Sequence, residues 1–370
     1  KVNQMCAEKV REPSVPRRSR LSGLVEEGAL RMAPLLQLPP ILSGHGIDPD
    51  TFIRDCGCDP GLFKDPENTI DFHAVGRLLA RTAAATGVEY PGLELGRHSG
   101  LGVLGALGQL MRVAPDLGTA LRALILRFHL HDRGAVPTLW ELEEQSLFGY
   151  TVYTPDIPGT DHIYDAALLI ALNVFKELLG EAWKPSAVQL FRDPPGDGKI
   201  FRRHFGTRVR FGAEHAALVF PTADLYRPLL ERDSAAYVRL RDDLEQKDLS
   251  HQGEAPLSNM VRRLLRGLLA AGSGQHGLDL PGVAGLLELH PRTLTRRLRA
   301  EGETFTNLLD TSRYEFARQL LRDTQLPVAD ISAALGYAES ASFNHAFRRW
   351  SGITATAWRS SQGSLTESGG

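Results

Sequence analysis

Two helical segments joined by a glycine turn constrain the fold of this chain more than any other feature. The first segment, residues 328–335, contains many small residues, and a turn follows at Gly336. The second segment begins at about Ser340 and places Phe343 and Phe347 on one face of a helix. Small residues allow two helices to cross closely, and the aromatic rings would pack the second helix onto the first. The spacing predicts a helix-turn-helix, although an ordinary amphipathic helix pair shares part of this pattern.

The same spacing occurs a second time, 48 to 50 residues earlier in the chain. The repeated positions are Val283, Leu287, Leu294, Leu298 and Gly302 in the earlier copy, and Ile331, Leu335, Phe343, Phe347 and Gly352 in the later copy. We therefore predict one helix-turn-helix at residues 280–302, with its second helix at residues 291–299, and another at residues 328–352. A single long helix, residues 304–321, is predicted between them.

Both second helices have an outer face that is mostly polar and basic. In the first unit this face comprises Arg292, Thr293, Thr295, Arg296 and Arg299. In the second unit it comprises Ser340, Ala341, Ser342, Asn344, His345, Arg348 and Arg349. Side chains of these types contact phosphates and base edges in DNA. We expect base contacts from Arg292, Thr295, Arg296, Ala341, Asn344 and His345, and phosphate contacts from Ser340, Arg348 and Arg349.

The distribution of charge supports a nucleic-acid partner for this part of the chain alone. The whole chain has a formal net charge of -2. Between residues 255 and 360, thirteen arginines, no lysine and nine acidic residues give +4, so the remainder carries -6. Arginine forms bidentate contacts with phosphate and guanine, although a GC-rich genome would favour arginine in the same way. The long helix would span about 27 Å, near the ~34 Å between successive major grooves, so one chain is expected to reach two grooves.

At these residues the chain resembles the AraC/XylS family of bacterial transcription regulators. The shared residues of the second unit are Ile331, Leu335-Gly336-Tyr337, Phe343, Phe347-Arg348-Arg349 and Gly352. The chain departs from the family pattern at Ser332, Ala341, His345 and Ala355, where Ala, Ser, Arg and Pro are usual. In the first unit His290 stands where the family has a serine N-cap, and because His is not a favoured cap we predict a frayed helix start. The resemblance implies a sequence-specific transcriptional regulator that binds promoter DNA, and RNA polymerase if it is an activator.

The order of helix and strand patterns before these units predicts an α+β domain, with N-terminal helices and a small antiparallel sheet. The clearest predicted elements are a helix at 72–86, a hairpin of 138–143 and 147–154, a helix at 161–179, a strand at 188–191, a helix at 199–205 and a last hairpin of 209–211 and 217–220. With the all-α C-terminal domain, in which a long helix joins the two units, the fold class is α+β.

This α+β domain resembles the sensor domain of the AraC-type subgroup that includes the ornithine-utilisation regulator. The matching residues are Gly92-Leu93-Glu94-Leu95-Gly96, Leu104-Gly105 to Met111, Trp183-Lys184-Pro185 and Phe211. The resemblance implies a domain that binds a small-molecule effector of unknown identity, that dimerises, or both.

We predict five parts from these signals. They are a flexible tail at 1–28, an effector-sensing domain at 29–227, a linker at 228–257, the DNA-binding domain at 258–360 and a flexible tail at 361–370. Within the linker, Tyr237, Leu240 and Leu244 recur at helical spacing, which fits either a plain helix or a homodimer contact.

Two histidines at a predicted helix-to-strand turn, His129 and His131, are candidate effector contacts, although a structural role at the turn explains them as well. The pattern Cys56-Gly57-Cys58 with His73 leaves open a metal-binding sensor or an enzyme activity in the N-terminal domain. A C-x-C pattern alone is weak, however, and with Cys6 it forms no disulfide framework. We therefore expect no metal and no cofactor.

Motifs of other protein classes are few. The chain contains no G-x-S-x-G, H-E-x-x-H or Walker A motif, so an enzyme is not expected. The G-x-G-x-x-G at residues 100–105 follows no apolar strand, which predicts a glycine-rich helix start rather than a nucleotide site. No apolar run approaches the ~20 residues of a membrane span, and no secretory signal is visible. These observations predict a cytoplasmic protein without a membrane partner.

Overall fold

A computed structural model of the chain describes residues 25–26, 28–152, 154, 157–196, 198–213, 215–251, 257–270, 278–287, 289–323 and 326–366. Cys6 and nearly all of the predicted N-terminal tail lie outside these residues, as do residues 252–256 of the predicted linker and residues 367–370.

In the N-terminal part, helices surround a small sheet. The helices are α1 (Leu38–Gly44), α2 (Pro49–Asp55), α3 (Phe72–Thr86), α4 (Pro91–Arg97), α5 (Ala106–Arg112), α6 (Leu117–Arg127), α7 (Thr160–Leu179), α8 (Lys199–Phe205) and α9 (Ser234–His251). The strands are β1 (Ala29–Arg31), β2 (Thr69–Asp71), β3 (Ala135–Glu141), β4 (Gln145–Val152), β5 (Ala187–Gln189), β6 (Val209–Arg210) and β7 (Ala217–Pro221). Helices and a small, mainly antiparallel sheet confirm the predicted α+β class.

Five strands form one sheet in the order β3-β4-β7-β5-β6. The predicted first hairpin is β3–β4, with its turn two residues earlier than expected. The predicted last hairpin, residues 209–220, is wrong. β7 inserts between β4 and β5 and is antiparallel to both, whereas β6 pairs in parallel with β5 at the sheet edge. Strands β5 and β6 can be parallel because α8 lies between them in the chain and provides the crossover connection that parallel strands need.

Helices α4 and α7 approach so closely that two positions of α4 require glycine. A Cβ on Gly92 would lie 2.0 Å from the carbonyl oxygen of His162, and a Cβ on Gly96 would lie 2.9 Å from that of Ala166. From α7, the Asn173 Nδ2 donates to the Gly96 carbonyl at 3.0 Å. The glycines of this motif therefore serve helix packing.

The glycine-rich segment at residues 100–105 is a helix start, as predicted. It forms a 3-10 helix at Leu101–Leu104 that leads into α5, and the element before it is α4 rather than a strand. A Cβ on Gly108 would lie 2.0 Å from the Leu101 carbonyl oxygen. Because these backbones touch, the glycines here have a packing role.

Helix α9 occupies most of the predicted linker and packs on the N-terminal core. Tyr237 and Leu244 are buried in that core, and Leu240 packs against it. The packing of α9 on the N-terminal core thus explains why apolar residues recur here at helical spacing.

The C-terminal part consists of seven helices among the described residues. They are α10 (Leu257–Ala270), α11 (Leu280–Leu286), α12 (Pro291–Ala300), α13 (Phe305–Asp323), α14 (Val328–Ala334), α15 (Ser340–Ser351) and α16 (Ala355–Thr366). Pairs α11–α12 and α14–α15 are the two predicted helix-turn-helix units, and α13 joins them. Helix α16 continues past residue 360, where the predicted C-terminal tail begins.

Helix α10 belongs to the C-terminal core but also contacts the N-terminal domain. The Glu301 carboxylate, which follows α12, accepts hydrogen bonds from the Leu257 and Ser258 amides at the start of α10, at 2.8 and 2.9 Å. At its other end, Gly267 lies against β3, where an added Cβ would lie 1.9 Å from Val136 Cγ1. Ile125 of α6 is buried in the same apolar cluster as α10. The two parts are therefore joined by a packed interface.

Candidate DNA-binding surface and effector cavity

The first helix-turn-helix presents α12 on a buried apolar base. Leu294 and Leu298 are fully buried and fix the inner face of the helix. The helix start is capped: His290 Nδ1 accepts a hydrogen bond from the Arg292 amide at 3.2 Å. The prediction of a frayed start was therefore wrong, because the imidazole takes the place of a serine hydroxyl.

Three arginines form one stripe on the outer face of α12. Arg292, Arg296 and Arg299 recur at i, i+4 and i+7, and all three are exposed. Together with Thr295 they line a concave surface. The Thr295 Oγ1 donates to the Pro291 carbonyl at 3.0 Å, so towards a partner outside the helix this hydroxyl can act as an acceptor.

Two other side chains of α12 lie away from this stripe. Thr293 is half-buried beside the helix start, and Arg297 is exposed on the flank of the helix. Arg297 has the same charge as the stripe arginines but does not line the concave surface. It therefore offers a matched control for substitutions of the stripe.

The second unit is anchored to the long helix α13 at its turn. Gly336 adopts a left-handed backbone with φ 76°. The Arg313 guanidinium of α13 lies 4.6 Å from the centre of the Tyr337 ring, and its Nε donates to the Leu335 carbonyl at 2.9 Å. On α15, Phe343 and Phe347 are fully buried. The second unit is consequently held against α13 by stacking at its turn and by the packing of Phe347 against Tyr314.

The outer face of α15 corresponds to that of α12 but carries less positive charge. Residues Ala341, Asn344, His345 and Arg348 stand 49 positions after Arg292, Thr295, Arg296 and Arg299. Ala341, His345 and Arg348 are exposed, as is the neighbouring Ser342, whereas Asn344 and Ser340 are half-buried. Three arginines on one stripe are thus matched by a single arginine on the other.

Arg349 lies on the flank of α15 and is engaged within the protein. Its Nη2 donates to Asp310 Oδ2 of α13 at 2.7 Å, although its side chain is 64% exposed. Helix α13 contains 19 residues, which gives a length of about 28 Å. The second unit contacts this helix at Asp310 and Arg313, in the first half of its length.

A second concave site lies inside the N-terminal part. A cavity of about 100 Å³ is lined mainly by aliphatic and aromatic side chains, most of them from α3, α6, α7 and the strands β1, β3 and β4. His131, Asp132 and Tyr150 form its one polar end.

The polar end contains two buried titratable groups. Asp132 Oδ1 accepts from the amides of Gly134 and Ala135 at 2.9 and 3.0 Å, and its Oδ2 accepts from the Tyr150 hydroxyl at 2.6 Å. Burial raises the pKa of Asp132 to about 7. Burial, together with the nearby Arg31 charge, lowers the pKa of His131 to about 3. The imidazole is therefore neutral, and its Nδ1 is buried without a hydrogen-bond partner in the described structure.

The two candidate effector histidines point into different spaces. His131 lines the cavity, whereas His129 lines a narrow crevice between the N-terminal domain and Met260 and Leu264 of α10. Asp132 lines both spaces. Asp132 and Tyr150 were not among the predicted contacts. The one available signal was the position of Asp132 next to His131 in the sequence, and Tyr150 gave none.

The C-x-C segment forms no evident metal centre. Cys56 is buried and Cys58 is half-buried, and burial raises the pKa of both thiols. Within the part of the chain that the structure describes, no group of three or more His, Cys, Asp or Glu side chains could hold a metal ion. Likewise, none of the described helices is long and apolar enough to cross a membrane.

Comparison with known proteins identifies the two domains of the chain. Residues 46–229 match the arabinose-binding domain of AraC transcription regulators, and residues 283–361 match a helix-turn-helix domain. The transcriptional regulator VirS of Mycobacterium tuberculosis is 30% identical over 317 residues, which cover 85% of this chain and 91% of VirS. The ornithine utilization regulator of Pseudomonas aeruginosa is 26% identical over 329 residues, covering 86% and 93%. The crystal structure of the transcriptional regulator CdpR from Pseudomonas aeruginosa aligns over 88% of this chain and 98% of CdpR, with 22% identity and a TM-score of 0.41.

An N-terminal domain of the arabinose-binding type followed by two helix-turn-helix units defines a DNA-binding transcriptional regulator. This chain belongs to the AraC family, in the group whose N-terminal domain is of the arabinose-binding type.

Proposed function

We propose that α12 and α15 enter two successive major grooves on one face of promoter DNA, and that α12 contributes most of the base discrimination. The observation that carries this proposal is the pair of exposed stripes at equivalent positions of α12 and α15, 49 residues apart in the sequence. Three arginines on α12 offer bidentate contacts to guanine, whereas α15 presents Ala341 and His345 at the corresponding base-facing positions and Arg348 to a phosphate. Contacts from Thr293, Ser340, Ser342 and Asn344 complete the proposed interface.

We further propose that residues 29–227 form a regulatory domain that senses a small molecule in the cavity and acts on the DNA-binding domain at 258–360. The packed contact of α10 with β3 supports direct transmission, because Asp132 lies at both the cavity and the crevice beside α10. A second copy of the chain, and RNA polymerase if the protein activates transcription, are the expected protein partners. The proposed site of action is the cytoplasm.

The test begins with selection of binding sites from random duplex DNA by the full-length protein. Gel-shift titrations of the selected site then compare Arg296→Ala with Arg297→Ala. Loss of a bidentate base contact should cost about 1–3 kcal/mol of binding free energy and relax the preference at one base pair. Arg297→Ala removes the same charge from the flank of α12 and should preserve that preference. Equal effects of the two substitutions on affinity and preference would refute the assignment of the α12 stripe.

A further inference from the structure

The turn of the second helix-turn-helix carries a stacking contact that the first unit lacks the ring to form. The Arg313 guanidinium of α13 lies 4.6 Å from the centre of the Tyr337 ring, and its Nε donates to the Leu335 carbonyl at 2.9 Å. In the first unit Leu289 stands 48 positions before Tyr337, and its side chain offers no aromatic face. The stacking contact is therefore specific to the second unit.

Arg313 contacts both sides of this turn. Leu335 is the C-cap residue of α14, and a helix end leaves backbone carbonyls without partners inside the helix, so Arg313 satisfies one of them. On the other side of Gly336, the Tyr337 ring lies 5.7 Å from the ring of Phe343, which is fully buried on the inner face of α15. The contact of Arg313 thus extends through two rings to the first turn of α15.

The placement of the inner face of α15 determines where its outer face points. Phe343 stands between Ala341 and His345, the two side chains predicted to meet base edges. A helix with its side chains has a radius of about 5–6 Å, so a rotation of about 20° would move an outer side chain by roughly 2 Å. Hydrogen bonds weaken steeply beyond their short range of distances, so such a movement would break contacts with DNA.

We infer that Arg313 is a positioning residue for DNA recognition, which holds the turn of the second unit so that α15 meets the second major groove. The half-buried guanidinium acts through Tyr337 and Leu335 rather than by touching DNA. The inference rests on the proposed insertion of α12 and α15 into two grooves, and it names the contact that orients one of them.

The experiment compares two DNA duplexes in gel-shift titrations with the full-length protein. The long duplex is the complete selected site. The short duplex ends after the groove that α12 occupies, which is identified as the groove where Arg296→Ala relaxes a base preference. The ratio of the two affinities measures the engagement of α15. Arg313→Met should lower this ratio by about 3- to 10-fold, the size of a cation–π contact, and leave the affinity for the short duplex nearly unchanged.

This ratio separates positioning from stability and from a direct phosphate contact. A protein that is only less stable would lose affinity for both duplexes alike. Arg313→Lys keeps the charge but not the planar guanidinium, so it should lower the ratio as Arg313→Met does, whereas a lysine would largely replace an arginine that contacts a phosphate. Recovery of the ratio in Arg313→Lys would therefore overturn the inference.

Two further substitutions test the aromatic partner of Arg313. Tyr337→Leu introduces the residue type of the first unit and should lower the ratio to a similar extent, and its effect should not add to that of Arg313→Met, because the two side chains form one contact. Tyr337→Phe keeps the ring and should keep the ratio. Should Arg313→Met fail to fold, the Tyr337 pair decides, and equal ratios for Tyr337→Leu and Tyr337→Phe would contradict the inference.

Arg318→Met is the matched control on the same helix. Arg318 is also an arginine of α13 that lies over aromatic rings, but these rings belong to Tyr314 and Trp358 rather than to the turn. Its substitution removes the same charge and should leave the ratio unchanged. A wild-type protein that binds both duplexes equally would refute the two-groove proposal and this inference with it. A wild-type ratio that Arg313→Met retains would overturn the inference alone.

Discussion

Asp310 of α13 accepts a hydrogen bond from Arg349 of α15, with 2.7 Å between Oδ2 and Nη2. The pair links α13 to α15, and it offsets the positive charge of a side chain that we predict to contact a phosphate. An exposed ion pair contributes at most about 1 kcal/mol. A DNA phosphate must therefore compete with the Asp310 carboxylate for the Arg349 guanidinium.

The first prediction concerns the salt dependence of DNA binding. Arg348→Ala should weaken binding uniformly across sequences and lower the slope of log K against log salt by about one, because a phosphate contact releases roughly one counterion. Arg349→Ala should lower the slope less, since Asp310 already neutralises that charge. Asp310→Asn should tighten binding. Gel-shift titrations between 50 and 200 mM salt measure all three, and equal slopes for Arg348→Ala and Arg349→Ala would show that the ion pair opens in the complex.

The second prediction concerns the asymmetry of the two recognition helices. His345 occupies the position on α15 that Arg296 occupies on α12, and it is exposed. His345→Arg should therefore add a contact to the second groove, tighten specific binding by about 1–3 kcal/mol and strengthen one base preference. The measurement is a gel-shift titration against variants of the selected site at each base pair. If affinity and preferences do not change, position 345 does not face the bases.

The third prediction tests the packed contact between the two parts of the chain. A Cβ on Gly267 would lie 1.9 Å from Val136 Cγ1, so Gly267→Ala should destabilise the full-length protein by about 1–3 kcal/mol through overpacking. Alanine is otherwise favoured over glycine within a helix. Thermal unfolding should show a lowered midpoint that Val136→Ala partly restores.

Gly285→Ala is the control for this contact, because nothing lies within 4 Å of the Cβ position at Gly285. It should be neutral or stabilising. A Gly267→Ala protein as stable as the wild type would mean that α10 does not rest on β3 in solution.

The fourth prediction concerns acid stability. His131 has an ordinary pKa near 6.5 when unfolded, and burial lowers the pKa to about 3 when folded. The unfolded state therefore binds an additional proton below pH 6.5, and the wild type loses roughly 1.4 kcal/mol per pH unit from this residue as the pH falls towards 3. His131→Phe removes that loss, so the free energy of unfolding of this variant relative to the wild type should rise steadily as the pH falls from 6.5 to 4.

Denaturant unfolding at several pH values measures this difference. Asp132, whose pKa burial raises to about 7, acts in the opposite direction: its neutral form is lost as the pH rises, so its contribution to stability falls between about pH 4 and pH 7. Asp132→Asn should accordingly lose stability relative to the wild type as the pH falls through this range. A pH-independent difference between His131→Phe and the wild type would contradict the burial of a neutral imidazole.

Local signals predicted the elements of the fold better than their pairing. Helix α3 has its predicted bounds because Asp71 caps its start, through hydrogen bonds to the amides of His73 and Ala74, and Gly87 ends it with φ 71°. The short distance between β6 and β7 in the sequence predicts a hairpin, which the sheet does not contain. The run of buried residues on both faces of β7 is the signal of a central strand, and its partners β4 and β5 are set by packing that a short sequence window does not contain.

The exposed stripes of α12 and α15 could be predicted because helical periodicity alone separates inner from outer positions. The ion pair of Arg349 with Asp310 could not be predicted, because the two residues are 39 positions apart and only the fold brings them together. The same holds for the cavity, whose walls come from elements between Leu30 and Phe175.

The most direct test of the central claim is methylation interference on the selected DNA site, with the full-length protein and its Arg296→Ala variant. If α12 and α15 read successive major grooves, interfering guanines should fall in two clusters about one helical turn apart on one face of the DNA, and Arg296→Ala should remove interference from only one cluster. A single cluster, or two clusters on opposite faces of the DNA, would contradict the account.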